Sequence, residues 1–139
     1  MDEAQMEADL RDRIARSAFH SWMGMELVGA TRGRVEVALE VTHHHLNLQG
    51  SLHGGVMATL ADTATGLAVR TMLPVGRRHV TIQLDVHYLA PGRLGQIIAV
   101  ATTVRVGSQV AYAEADIRDG NDRLLARATA TVAVMTDRG

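Results

Sequence analysis

The stretch from Thr42 to Asp62, THHHLNLQGSLHGGVMATLAD, holds the densest set of groups able to do chemistry. Ser51-Leu52-His53-Gly54-Gly55 leads into a helical pattern with two glycines at its start. The first four N–H groups of a helix lack partners within it, and the helix dipole adds positive potential there. Without a β-carbon in the way, a ligand carbonyl can reach those N–H groups, which is the design of an oxyanion hole. Further along stands Asp62, among Leu60, Ala61, Thr63, Ala64 and Leu67. A carboxylate in such company is expected to be desolvated, which raises its pKa and makes it a better base. Plainer readings remain open for both features. Glycines also let another element cross closely, and a helical Asp also faces solvent or bonds a neighbouring hydroxyl such as Thr65.

Geometry then constrains how the two could cooperate. Eight residues of helix separate Gly54 from Asp62 by about 12 Å. A base must stand about 3 Å from the reacting atom while the oxyanion donors hold its oxygen. One chain cannot meet both conditions. Two copies of the helix, antiparallel about a two-fold axis, can place Gly54 of one beside Asp62 of the other. The helix is thin enough for this, because Gly54, Gly55, Ala58, Ala61, Ala64, Gly66 and Ala68 are all small. A homodimer is therefore expected if the two groups share a site.

Other chemistries are restricted by composition. The chain has 139 residues, no Cys, and all 14 of its basic residues are Arg. Disulfides, thiolate zinc sites, cysteine nucleophiles, Schiff-base lysines and P-loop lysines are excluded together. A net charge of −1 and four aromatic residues (Phe19, Trp22, Tyr88 and Tyr112) offer no footprint for nucleic acid. His43, His44, His45, His53 and His79 invite a metal reading. Three consecutive histidines on an extended chain cannot all face one ion, and no carboxylate-His helical spacing accompanies them, so no metal is expected. The acidic N-terminus is unlike a signal peptide and no apolar run reaches 18 residues, so no membrane span is expected. Together with the lack of Cys, this fits a cytoplasmic protein.

The elements that must carry these residues are legible from periodicity. Met6, Leu10, Ile14 and Ala18 recur at four-residue steps, which predicts one amphipathic N-terminal helix within residues 1–23, ended by Gly24. Strands are expected over Met25–Ala30 and Arg34–Val41, and a polar loop over Thr42–Gly50. The period then changes to that of a helix over residues 53–73, stopped by Pro74 and Gly76. From there the chain alternates with period two. Val80, Ile82, Leu84, Val86 and Tyr88 oppose His79, Thr81, Gln83, Asp85 and His87. Further strands follow at 97–106, 111–117 and 125–135, with a tight turn at Gly107-Ser108 and another at Asp119-Gly120-Asn121. The length suits one domain, and this order describes an α+β fold in which an antiparallel sheet wraps one long helix.

The run from Asn47 to Asp62, together with Val80-Thr81-Ile82-Gln83-Leu84-Asp85-Val86-His87-Tyr88-Leu89-Ala90-Pro91, resembles the hot-dog fold acyl-CoA thioesterases of the phenylacetic acid degradation (PaaI) type. The resemblance spans about residues 20–136. It implies hydrolysis of an acyl-CoA to a carboxylic acid and coenzyme A, without a cofactor, by a homodimer that pairs into a dimer of dimers. It also implies roles. Gly54 would donate its N–H to the thioester carbonyl, and Asn47 would support that contact or help place the water. Asp62 of the other chain would be general base or nucleophile, Thr81 would orient the water, and His53 would brace the site near the sulfur. Arg77, Arg78, Arg93 and Arg105 are candidates for the phosphates of coenzyme A, because Arg suits bidentate phosphate contacts. Met25, Met57 and Met72 are candidates for lining an acyl pocket, though Met is first of all core filler. Two other readings of such a domain are a non-catalytic acyl-CoA-binding module and a dehydratase or hydratase that pairs a His with an acidic residue.

Overall fold

The computed structural model describes residues 1–136. Helix α1 spans Glu3–Arg16 and begins at a reciprocal cap: Asp2 accepts the Gln5 N–H, and the Gln5 side chain accepts the Asp2 N–H. Its buried stripe is Met6, Leu10 and Ile14, as the four-residue spacing predicts. The single N-terminal helix expected up to Met23 is in fact two. Ser17 is extended, its N–H still bonds the Ile14 carbonyl, and its Oγ accepts the His20 N–H to start helix α2, Ala18–Met23. A serine whose hydroxyl can replace a backbone partner favours such a cap over a helix interior.

Strands β1 (Met25–Thr31) and β2 (Arg34–Val41) form the first hairpin. The expected polar loop after β2 contains a short 3-10 turn at His43–His45, and Leu46 pairs with Leu52 in a single antiparallel bridge. Helix α3 spans Gly54–Arg70, three residues short of the expected end. It stops at Thr71, whose buried hydroxyl donates to the Ala68 carbonyl and accepts the Gly33 N–H from the β1–β2 turn.

Four more strands follow: β3 (Arg77–Tyr88), β4 (Gly95–Val106), β5 (Val110–Asp119) and β6 (Leu124–Thr136). All pairings are antiparallel, and the order across the sheet is β1-β2-β4-β5-β6-β3. The sheet wraps α3, whose buried face (Met57, Leu60, Ala61, Ala64, Ala68, Val69) meets Val37, Leu39, Ile97, Ala99, Ala113, Ala115 and Ala128. The many alanines on both sides let helix and sheet approach closely while the interior stays filled. Buried Thr65 satisfies its hydroxyl within the helix, on the Ala61 carbonyl.

Strand β3 departs from the expected alternation. Its register on β6 shifts between Thr81 and Gln83, so one extra residue is inserted there. Such a bulge exchanges the two faces of a strand. His79 and Thr81 therefore turn toward α3 before the bulge, and Leu84 and Val86 after it. Val80 and Ile82, expected on the apolar inner face, are left 50% and 62% exposed on an edge strand.

Candidate active site

The start of α3 forms one half of the candidate site. His53 caps the helix: its Nδ1 accepts the Gly55 N–H at 2.8 Å, and its carbonyl accepts the Val56 N–H. A side chain on Gly55 would meet the His53 ring at 2.9 Å, so the second glycine is what lets this cap form. These bonds leave the Gly54 N–H as the amide in the first turn with no acceptor among the described residues. It is thus the donor open to a ligand oxygen at this helix start.

Asn47 is fixed beside it. Its Oδ1 accepts the N–H groups of Gln49 and Ser51 at 2.9 and 3.1 Å, and its own N–H donates to the Ser51 carbonyl. With the oxygen engaged, the NH2 end is the one left to donate to a ligand. Asn47, Ser51, Gly54 and Met57 line one open cavity of about 390 Å³ together with Tyr88 and Pro91. Tyr88 was not singled out in the sequence. Its hydroxyl donates to the Gly54 carbonyl at 2.8 Å, and a β-carbon on Gly54 would lie 3.2 Å from its ring. No signal in the strand pattern reveals this, since the contact joins residues 34 apart.

Asp62 lies elsewhere. It lines a second cavity of about 460 Å³ with Arg13, Ile14, Ser17, His20, Thr63, Gly66, Leu67, His79, Val80 and Thr81. Within one chain the Gly54 and Asp62 halves thus open onto separate cavities. Thr81 joins Asp62, because the β3 bulge turns it inward. Asp62 itself is exposed, so the desolvated environment expected from its neighbours is absent in the single chain. Those apolar neighbours face the core, and the carboxylate projects away from it.

The four arginines do not gather. Arg77 donates to the Met135 and Ser108 carbonyls, pinning the start of β3 to the β4–β5 turn. Exposed Arg78 and Arg105 stand at that same end of the sheet, whereas exposed Arg93 follows Pro91 beside the Gly54 cavity. Of the methionines, Met25 and Met57 are buried, Met57 at the wall of the Gly54 cavity, and Met72 is 45% exposed. The consecutive histidines serve the local fold: buried His45 accepts the Thr42 N–H on Nδ1 and bonds the Met23 carbonyl through Nε2, while His44 pairs with the Thr42 hydroxyl.

Comparison with known proteins decides the family. Residues 49–126, which include the Gly54 turn, Asp62 and Thr81, match the model of the thioesterase superfamily. The chain belongs to the thioesterase superfamily. This thioesterase is 44% identical over 104 residues to a putative esterase of Halobacterium salinarum, covering 70% of this chain and 67% of the relative. It is 32% identical over 92 residues to human acyl-coenzyme A thioesterase 13, covering 66% of this chain and 65% of the relative. Among solved structures, the phenylacetic acid degradation protein PaaI of Thermus thermophilus superposes with a TM-score of 0.77 at 30% identity, covering 84% of this chain and 98% of that one. The hot-dog architecture and a thioester-hydrolase chemistry are therefore properties of this thioesterase. No helix among the described residues is long and apolar enough to cross a membrane.

Proposed function

We propose that this thioesterase hydrolyses acyl-coenzyme A to a free carboxylic acid and coenzyme A, at two sites that each combine both chains of a homodimer. The carrying observation is the division of the site. The donors Gly54 and Asn47 open onto one cavity, and the acceptor Asp62 with Thr81 onto another. One thioester carbonyl cannot touch both within a chain, because about 12 Å of helix lies between them. A second copy closes the gap. The uncovered stripe of α3 runs from exposed Gly55 through half-buried Ala58 and Thr59 to exposed Asp62, narrow enough for another helix to lie against it. The neighbouring edge strand β3, with Val80 and Ile82 exposed, is the kind of apolar edge that a partner covers.

In the assembled site the thioester oxygen accepts from the Gly54 N–H and the Asn47 NH2. Water, oriented by the partner's Thr81, attacks the carbonyl carbon and gives its proton to the partner's Asp62. The oxyanion collapses, the carbon–sulfur bond breaks, and the proton passes to the departing thiolate. Direct attack by Asp62 yields an anhydride that water then opens to the same products. His53 sits at the helix start with Nδ1 committed to its cap, so its Nε2 is the atom that faces the sulfur end. Arg93, two residues after Pro91 of the Gly54 cavity, would contact a coenzyme A phosphate. The name of the human relative supports coenzyme A as the leaving group.

A panel of acyl-CoA thioesters assayed for free thiol tests this reading. Thiol release that is lost in Asp62→Ala supports it. Binding without thiol release would favour an acyl-CoA-binding module, and hydration of an enoyl-CoA without thiol release would favour a hydratase.

A further inference from the structure

The Asp62 cavity carries information about the acyl group. Its walls come from α1, α2, α3 and β3, and four of its residues (Arg13, Ile14, Ser17 and His20) precede the segment matched to the superfamily. The polar groups in it are mostly occupied. His20 pairs with the Ser17 hydroxyl at 2.7 Å through Nδ1 and with the Thr63 hydroxyl at 3.2 Å through Nε2. Arg13 is held by Asp9 at 2.9 Å.

Apart from Asp62 and Thr81, which the hydrolase reading assigns to the reaction, the polar side chain left over is His79. His20 and His45 have both ring nitrogens engaged, and His53 has one engaged. The ring of half-buried His79 makes no hydrogen bond to any described residue, although it lines this cavity. Its position is built. The β3 bulge turns it inward, and Gly66 opposite leaves the room its ring occupies, since a β-carbon on Gly66 would stand 3.2 Å from His79 Cε1. Thr81 lies two residues along β3 on the same side. His79 is thus about 6.6 Å along the strand from Thr81, which the hydrolase reading sets beside the reacting carbonyl. That is the reach of a substituent on the third or fourth acyl carbon, allowing for one hydrogen bond.

We propose that His79 is a specificity-determining residue that hydrogen-bonds a hydroxyl on the third or fourth carbon of the acyl group, so that hydroxyacyl thioesters are preferred over their unsubstituted counterparts. This rests on the hydrolase reading above. Burial, followed by the charges of Arg70 and Arg13, holds the His79 pKa below its ordinary value, with Asp62 opposing. The ring is neutral near pH 7 and offers one donor and one acceptor. That matches the donor and acceptor of a hydroxyl group. A site that leaves a buried polar group unpaired with the wrong substrate discriminates against that substrate.

The test compares hexanoyl-CoA with 3-hydroxyhexanoyl-CoA and 4-hydroxyhexanoyl-CoA. The wild-type chain is expected to show a kcat/KM at least about tenfold higher for one of the hydroxylated thioesters, the worth of one hydrogen bond to a buried partner. His79→Leu is expected to abolish that ratio, and His79→Gln, which keeps a donor and an acceptor, to retain most of it. Should His79→Leu fail to fold, His79→Phe replaces it. Equal wild-type rates on all three thioesters, or a ratio that survives in a folded Leu or Phe variant, overturns the assignment while leaving the hydrolase reading intact. A wild-type chain that cleaves none of the three, nor any other acyl-CoA, overturns both.

Discussion

Gly54 acts through its backbone, and its lack of a side chain matters for a stated reason: the Tyr88 ring is 3.2 Å from where a β-carbon would sit. Gly54→Val should therefore displace either the ring or the first turn of α3. Loss of one oxyanion donor is expected to lower kcat about 10²–10³-fold, with the fold retained by circular dichroism. Full activity in the folded variant would mean that the carbonyl binds elsewhere. Asp62→Ala is expected to lower turnover by about 10²–10⁴, the worth of a positioned base, without loss of stability, since the carboxylate is exposed in the single chain. His79 adds a pH effect. Its folded pKa is depressed chiefly by burial, so below the ordinary value of about 6.5 the unfolded chain takes up a proton that the folded chain resists. Stability should fall as pH drops through that value and level off once the folded chain is protonated too. Thermal melts between pH 7.5 and 5 should show the step in the wild type and a smaller one in His79→Gln.

At the scale of elements, β3 decides most. Its period-two pattern was legible, and so was its place after the long helix. Its bulge was not, because a one-residue shift depends on the pairing with β6 and leaves no mark in the local alternation. That shift moves Thr81 and His79 to the helix side and exposes Val80 and Ile82. Replacing Val80 and Ile82 with Lys should therefore leave the chain folded but weaken the proposed dimer. Sedimentation should report a shift toward monomer, and specific activity should fall on dilution. A monodisperse dimer of the double variant with undiminished activity would place the interface on another face. The N-terminal helix shows the same limit of local reading. The apolar spacing through Ala18 is continuous, yet Ser17 breaks it by capping α2, and this bend brings His20 to Thr63.

For the whole molecule, the shared site makes a prediction that no single-chain mechanism shares. In the proposed site, Asn47→Ala and Asp62→Ala would disable opposite halves. Refolded together, random pairing yields half mixed dimers with one intact site of two, so about a quarter of wild-type activity should return. Activity that stays at the level of the parents, with mixed dimers confirmed by mass, would place both residues in one chain's site. The sequence by itself determined the order of the strands around the long helix α3, the glycine-rich start of that helix and the separation of Gly54 from Asp62. Each of these follows from local periodicity, capping chemistry or the rise of a helix. Tertiary structure alone decided that Asp62 is exposed, that Tyr88 braces the Gly54 turn, and that His79 faces the Asp62 cavity with its ring unpaired. Those outcomes join residues far apart in the chain, and their cause is the register of one strand on another and the packing of two short helices over the sheet, which no local pattern encodes.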